Sequence, residues 1–328
     1  MSAQAVLGHL LRDPDADLHR RALSAETPRA RWSVLAHAIR PWSNTVDRAL
    51  VGGGLADGVG WAFAAGYQAA QERLIPDLPP DELAAFCVTE DHGGHPRFIR
   101  TTIRPRPASA GDSGQAAAGD RWYRLDGQKR FITFGQHADV LLIAASAGED
   151  PSSARNQLRL VRVRARQAGI EIRDMPELPF TPEIPHAELT LADVAVRGSD
   201  ILPGDGYDRY IKPFRTVEDI HVGAALLGYV FRVAQRYEWP RPAREEILGL
   251  IIQLRALGDE EPVAAETHLA LAGFFSLLHR LLGAHEPHWG LAGEAERARY
   301  QRDIALLSVA ERARQQRAAS AWQRIAGP

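Results

Sequence analysis

The sequence predicts an α+β protein of three domains, in which a β domain lies between two helical ones. Apolar residues recur at helical spacing before residue 84 and again after residue 202. Between these positions the spacing changes towards the alternation that is typical of strands. We therefore expect an N-terminal helical domain at 1–83, a barrel-like or sandwich-like β domain at 84–202 and a C-terminal four-helix bundle at 203–328.

The N-terminal region has three runs of helical periodicity, at 6–11, 32–39 and 46–67. The last run contains the glycine-rich string 52–60, whose composition is that of a phosphate-binding loop. It follows a helical pattern rather than a strand, so we interpret these glycines as sites of close packing between helices. The proline-rich segment 75–80 ends the helical region.

The central region has segments of strand character separated by polar, glycine-containing stretches. They are Phe86–Thr89, Phe98–Ile103, Trp122–Leu125, Val140–Ala144, Leu158–Val163, Ile170–Asp174 and His186–Leu191. The stretch 107–120 is rich in Ala, Gly and Ser, and we predict an exposed loop there and another at 147–156.

Helical spacing returns in the C-terminal region, which is predicted to hold four helices. Their approximate bounds are 206–238, 241–257, 260–284 and 292–325. The first break falls at Trp239–Pro240 and the last near Pro287, because proline cannot continue a helix.

Composition excludes several classes of protein. A formal net charge of -2 argues against a nucleic-acid binder, whose surface would be basic. The single cysteine, Cys87, excludes an intramolecular disulfide. Acidic residues near the start argue against a signal peptide, and no uncharged apolar run approaches the length of roughly 18 residues that a membrane span requires. We therefore expect a cytoplasmic protein that binds neither nucleic acid nor membrane.

Two short strings combine histidines with carboxylates, at 90–95 and at 285–288. Such a combination is compatible with a metal site. A polar turn explains the first string equally well, since Gly93 and Gly94 supply the backbone freedom that a turn needs. We apply the same interpretation to the second string and predict no metal ion.

Five segments of the chain, in this order, form a set of motifs. The first leads from Ala64–Tyr67 to Leu78–Pro79, and the second is Thr89-Glu90-Asp91-His92-Gly93-Gly94-His95-Pro96. The third begins Gly127-Gln128-Lys129-Arg130-Phe131-Ile132-Thr133 and runs to Asp139. The last two are Ala187–Val196 and Arg299-Tyr300-Gln301-Arg302-Asp303. Together they cover roughly residues 45–315 and resemble segments of the acyl-CoA dehydrogenases, which implies that family's order of domains.

The resemblance implies FAD as the cofactor and assigns roles to matching positions. Thr133 matches the residue that bonds the flavin N5, and Phe131 stands where the family has a tryptophan, next to Ile132. Val88 and Thr89 would meet the pyrimidine edge of the flavin. Further FAD contacts are implied at Gly94, His95, Arg236 and Gly290, and Arg236 would reach the pyrophosphate bound by a neighbouring subunit.

The resemblance implies a glutamate that removes the α-proton of an acyl thioester. Counting eight residues from Asp303, as in most family members, gives Glu311, which we expect to be the base, with Glu218 as the alternative. A minority of members carry the base on the first helix of the C-terminal domain, and Glu218 stands at that position. Each glutamate can also be explained without a catalytic role. Glu311 lies in a charge-rich helix face, and Glu218 follows Thr216, which is suited to cap a helix.

Several family positions are changed in this chain. His95 replaces a serine, Pro182 replaces a loop arginine, and the N-terminal domain is short. Three functions are therefore compared. The first is an FAD-dependent dehydrogenase of acyl-CoA or carrier-protein thioesters, at least dimeric, with an electron-transfer-flavoprotein-like acceptor. The second is a non-catalytic or half-catalytic subunit of such an enzyme, and the third is a flavin monooxygenase or nitroalkane oxidase on the same fold.

Overall fold

The structure, a computed structural model, describes residues 2–12, 25, 27–106 and 121–327. The predicted loop at 107–120 lies outside the described residues. The chain divides into two compact units. The helical unit consists of Met1–Asp81, Leu178–Ile184 and Pro213–Pro328, and the β unit consists of Glu82–Glu177 and Pro185–Lys212.

The helical unit holds the N-terminal and the C-terminal helices. In the described chain these are α1 (Ala3–Arg12), α2 (Pro28–Ile39), α3 (Thr45–Leu55), α4 (Val59–Leu74), α5 (Lys212–Arg236), α6 (Arg241–Leu257), α7 (Ala265–Ala284), α8 (Glu294–Asp303), α9 (Leu306–Val309) and α10 (Glu311–Ala326). None of the helices described is long and apolar enough to cross a membrane. The predicted run 46–67 is two helices, α3 and α4, rather than one.

The helix predicted at 292–325 is divided into α8, α9 and α10. The sequence of this region has neither proline nor glycine from Glu294 to Ala326, so no local signal marks the breaks. The carboxylate of the buried Asp303, where α8 ends, accepts a hydrogen bond from the Thr181 backbone N–H at 2.7 Å. It also accepts one from the Arg302 guanidinium at 2.6 Å. A tertiary contact therefore accompanies the first break.

Glycines allow α3 and α4 to approach α5 closely, as the glycine-rich string predicts. A Cβ on Gly53 would lie 1.8 Å from the carbonyl oxygen of Ala225, and a Cβ on Gly228 would lie 2.1 Å from that of Leu50. No side chain larger than hydrogen fits at these distances. The prediction of close helix packing is confirmed.

The β unit is built on one sheet, within the described residues, of seven strands. They are β1 (Ala84–Cys87), β2 (Thr102–Pro105), β3 (Trp122–Thr133), β4 (Val140–Glu149), β5 (Asn156–Arg164), β6 (Ile170–Asp174) and β7 (His186–Arg197). The order is β1-β4-β2-β3-β7-β6, and β5 pairs with β4. The strands β1 and β4 are parallel, whereas β3 pairs antiparallel with β2 and β7. The seven predicted strands are confirmed, although several ends move.

The largest change of bounds is in β3, which continues eight residues beyond the predicted end at Leu125. Its pairing with β7 shifts register between Lys129 and Ile132. The two residues between them, Arg130 and Phe131, form a bulge, in which Phe131 has a positive φ of 58°. Bulges are frequent next to functional sites because they redirect side chains.

The strand predicted to begin at Phe98 is wrong in its bounds, because β2 begins at Thr102. Pro96–Phe98 instead forms a single 3₁₀ turn, and the ring Nδ1 of His95 accepts from the backbone N–H of Arg97 at 3.3 Å. Pro96 at the first position of the turn favours this conformation.

Candidate functional site

In the β unit the segments around Thr89 and Lys129, both singled out by sequence, lie side by side. Lys129 Nζ donates to Glu90 Oε1 at 2.7 Å and to the Val88 carbonyl oxygen at 3.4 Å. The backbone N–H of Arg130 donates to the Thr89 carbonyl oxygen at 2.8 Å. The Lys129 side chain is fully buried. These bonds fix the backbone of Val88 and Thr89 against the bulge in β3.

Glu90 has further donors around its carboxylate. The backbone N–H groups of Arg100 and Thr101 donate to it at 2.7 and 3.0 Å, and the Thr101 hydroxyl donates at 2.8 Å. Burial alone would raise the pKa of Glu90, but the Lys129 ammonium and these donors outweigh it and hold the pKa below its usual value. Glu90 is therefore a structural carboxylate that stays ionised.

The bulge exposes Phe131 and buries its two successors. Phe131 is 47% exposed, whereas Ile132 is buried and Thr133 is only 7% exposed. A positive φ is unfavourable for a bulky residue, so the surrounding structure imposes it. In the described part of the chain no hydrogen-bond partner is found for the Thr133 hydroxyl. An exposed aromatic ring thus lies two residues from a hydroxyl that is available to a ligand.

Gly94 and His95 lie in the turn that follows β1, and His95 is exposed. His95 lines a cleft of the β unit with a volume of about 680 Å³, together with Arg97, Arg100 and Arg155. Three guanidinium groups around one cleft are suited to phosphate oxygens.

In the helical unit, Glu218 lines a cavity of about 140 Å³. Most of the lining is apolar and comes from α4, α5, α7 and α9, with Phe63, Val222, Phe275, Leu306, Leu307 and Val309 as its main members. Thr216 lies inside α5 rather than at its start, so the interpretation of this string as a helix cap is wrong.

Burial raises the pKa of Glu218 to about 8. The neighbouring Asp219 carboxylate raises it further, while Arg215 and Arg317 oppose the rise. A carboxyl with a pKa near the working pH can both accept and release a proton. Glu218 therefore has the chemistry of a general base in an apolar surrounding.

Asp219, next to Glu218, is buried and holds two arginines of α10. Arg314 Nη1 lies 3.0 Å from Asp219 Oδ1, and Arg317 Nη2 bonds Oδ2. The Arg314 guanidinium also lies over the ring of Phe275, 4.1 Å from its centroid, and donates to the Leu307 carbonyl oxygen. This ion cluster connects α5, α7, α9 and α10 at one side of the cavity.

Glu311 has a different surrounding from Glu218. It is exposed at the first residue of α10 and accepts a hydrogen bond from the Gln315 side chain at 3.1 Å. A carboxylate there is favourable to the positive end of the helix dipole. Glu311 is not among the residues that line the cavity, although its neighbour Ala310 is.

Arg236 and Gly290 are exposed on the helical unit. Arg236 ends α5, with its guanidinium 5.5 Å from the ring centroid of Tyr237. Gly290 lies in a 3₁₀ turn at Glu286–Leu291, and an added Cβ would have no neighbour within 4 Å.

Neither histidine-rich string forms a metal centre in the described residues, among which no group of three potential ligands is arranged around a common point. His285 Nε2 instead lies 2.8 Å from Glu246. His92 and His95 have their rings near that of Phe98, at 6.4 and 5.7 Å between centroids.

Sequence reasoning missed the cavity walls and the ion cluster. Phe63, Phe275 and Arg314 belong to three different helices, and helical periodicity does not show which helices pack together.

The sequence did contain a usable signal for Lys129, because it is one of two lysines in an arginine-rich chain and stands in a strand pattern. A charged residue in such a place needs a buried partner.

Comparison with known proteins identifies the fold. No family model matches the sequence, and no curated protein matches it. An acyl-CoA dehydrogenase from Geobacillus kaustophilus is 19% identical over 94% of this chain and 93% of its own, with a TM-score of 0.62. A glutaryl-CoA dehydrogenase from Mycobacterium smegmatis in complex with FADH2 is 14% identical over 98% and 93%, with a TM-score of 0.64.

FMN-bound TdsC from Paenibacillus sp. A11-2 is also similar, at 13% identity over 99% of this chain and 98% of its own, with a TM-score of 0.68. At such identities the similarity concerns the fold and not the activity. The chain therefore has the acyl-CoA dehydrogenase fold, which confirms the predicted fold class and the resemblance at that level.

Proposed function

We propose that this chain is a flavin-dependent oxidoreductase that dehydrogenates an acyl thioester between its α and β carbons, with FAD as its cofactor. The observation that supports this most is the bulge in β3, which exposes the Phe131 ring at a positive φ. Close by, Thr133 has a hydroxyl without a partner among the described residues. An apolar wall and a free polar hydrogen fit the face and the edge of a flavin ring.

Other residues of the β unit complete the proposed flavin contacts. The backbone of Val88 and Thr89, fixed by Lys129 and Arg130, would meet the polar edge of the ring. The buried Ile132 anchors the strand between the two contact residues. Gly94 and His95 would lie near phosphate oxygens. FAD, when bound, supplies an acceptor for the hydride that leaves the β carbon.

We assign the role of base to Glu218 in preference to Glu311. Glu218 lines an apolar cavity, and burial brings its pKa into the range where proton transfer is efficient. Its carboxylate would take the proton from the α carbon. Glu311 is exposed and bonded to Gln315, which is the arrangement of a solvated helix start.

We further propose at least a dimer. Arg236 and Gly290 are exposed on the helical unit, where a second copy of the chain could use them. In that arrangement Arg236 would contact the pyrophosphate of the partner's FAD, which is a charge-assisted bond. The thioester would come from CoA or a carrier protein, and an electron-transfer-flavoprotein-like partner would reoxidise the enzyme.

An anaerobic titration of the FAD-loaded protein with short acyl thioesters tests the proposal. Loss of the visible flavin absorbance, with formation of the 2,3-enoyl product, is expected. Absorbance that does not change with any thioester contradicts the dehydrogenase. Substrate conversion that requires oxygen and survives in Glu218→Gln would instead support monooxygenase or nitroalkane oxidase chemistry on the same fold.

A further inference from the structure

We infer that the cavity beside Glu218 selects a compact, uncharged apolar acyl group of about six non-hydrogen atoms. This inference rests on the proposed function, because it assigns the acyl end of the thioester to this cavity. It goes beyond that function by limiting the acyl carbons that contribute to affinity to about six and by excluding acyl groups with a terminal charge.

The size of the cavity limits the length of the group. Its volume is about 140 Å³. An apolar cavity of about 150 Å³ in another protein holds one benzene molecule, which has six carbon atoms. The cavity opens to the surface beside Val309, whose side chain is 65% exposed, so the end of a longer chain would leave the cavity and its added methylenes would gain no further burial.

The walls of the cavity are held in place by neighbouring side chains. Phe275 packs edge-to-face on Phe274, with 5.3 Å between the ring centroids. The Arg314 guanidinium lies over the Phe275 ring, 4.1 Å from its centroid, and is itself bonded to Asp219 and to the Leu307 carbonyl oxygen. Phe275 therefore cannot turn aside without losing its contact with the Arg314 guanidinium.

The charges around the cavity are already neutralised. Of the lining residues, Arg314 is the one with a positive charge, and Asp219 lies next to it and pairs with it at 3.0 Å. A ligand with a terminal carboxylate would therefore meet Glu218 and Asp219 without a free cation among the described lining residues. Burying such a charge without a partner is unfavourable.

Binding of primary amides to the full chain as purified tests this inference without depending on turnover. Butanamide, hexanamide, octanamide and decanamide are titrated by calorimetry, together with adipamate, which adds a terminal carboxylate to a six-carbon amide. Affinity is expected to rise about fourfold for each added methylene up to hexanamide and then to stop rising. Adipamate is expected to bind at least about tenfold more weakly than hexanamide.

Two variants show whether the cavity is where binding occurs. Val222→Phe adds a ring to a lining residue and should abolish hexanamide binding. Ile252→Phe adds the same ring to an exposed residue of α6 outside the lining and should leave it unchanged. Thermal unfolding of both variants shows whether they remain folded. If Val222→Phe unfolds, Val222→Leu replaces it and should weaken hexanamide binding.

Three results would overturn the inference. They are affinity that continues to rise to decanamide, equal binding of adipamate and hexanamide, and hexanamide binding that is absent or insensitive to Val222 substitution. None of them depends on FAD. A chain that binds hexanamide as expected but takes up no flavin would contradict the proposed function alone.

Discussion

Lys129 donates from Nζ to Glu90 Oε1 across 2.7 Å, and both side chains are buried in the β unit. Through this pair the strand that carries the bulge is fixed to the segment that follows β1. Lys129 also reaches the Val88 carbonyl, so one ammonium group holds the backbone that we propose to meet the flavin. A purely structural ion pair thus determines the geometry of the surface that we propose for the flavin.

Removal of Lys129 should destabilise the protein strongly. Lys129→Met keeps most of the volume but leaves the Glu90 carboxylate buried without its cation, which costs about 3–5 kcal/mol of unfolding free energy. Urea unfolding followed by circular dichroism measures the loss. The exposed pair of Arg124 and Asp126, at 3.4 Å, is the matched control, and Arg124→Ala should cost less than about 1 kcal/mol. Equal losses in the two variants would contradict the role of Lys129.

Removal of Asp219 should have a similar effect in the helical unit. Asp219→Ala leaves Arg314 and Arg317 without their shared carboxylate, and a loss of about 3 kcal/mol is expected. Arg241→Ala removes one arginine from an exposed pair on α6 and should change stability by less than about 0.5 kcal/mol. If Asp219→Ala is as stable as wild type, the ion cluster of Asp219, Arg314 and Arg317 does not hold the cavity wall.

The two candidate bases should separate clearly by substitution. Glu218→Gln keeps the shape of the side chain and removes its basicity, so reduction of bound flavin by thioester should slow by about 10²–10⁴-fold. Glu311→Gln should leave the rate within about twofold, because Glu311 is exposed and outside the cavity. Stopped-flow absorbance measures both. The reverse order of effects would return the role of base to Glu311.

The pH dependence follows from the raised pKa of Glu218. Flavin reduction requires the ionised form of Glu218, so its rate should fall about tenfold for each pH unit below the pKa of about 8 and level off above it.

The raised pKa of Glu218 also affects the stability of the protein. The stabilising contribution of Glu218 is fully present below the ordinary glutamate pKa of 4.5 and is lost as the pH rises towards 8, so Glu218→Gln should gain stability relative to wild type over that window. A rate that is flat between pH 6 and 8 would contradict this account.

The strands could be predicted from sequence because each has its own alternation and ends at polar residues. The bounds of β6 match the prediction at both ends. The extension of β3 could not be foreseen, because its pairing with β7 shifts register between Leu125 and Gly127, where the predicted strand ends, and again at Arg130 and Phe131. The breaks between α8, α9 and α10 were missed for a related reason, since the contact of Asp303 with Thr181 joins residues distant in sequence.

The candidate site was predictable in part. Motif resemblance led to Phe131 and Thr133 and gave two possible bases, Glu311 and Glu218. It favoured Glu311 over Glu218, because the sequence does not show the exposure of Glu311 or the cavity at Glu218, both of which depend on how the helices pack. Phe275 and Arg314, which shape the cavity, belong to none of the resembling segments and were found only in the folded chain.

The central claim is that the β unit binds FAD, and the visible spectrum of the purified protein tests it most directly. The full chain is incubated with excess FAD, freed of unbound flavin by gel filtration and compared with the untreated protein. Flavin absorbance that remains with the protein at about one FAD per chain is the predicted result. A colourless protein that retains no FAD after this treatment would contradict the account.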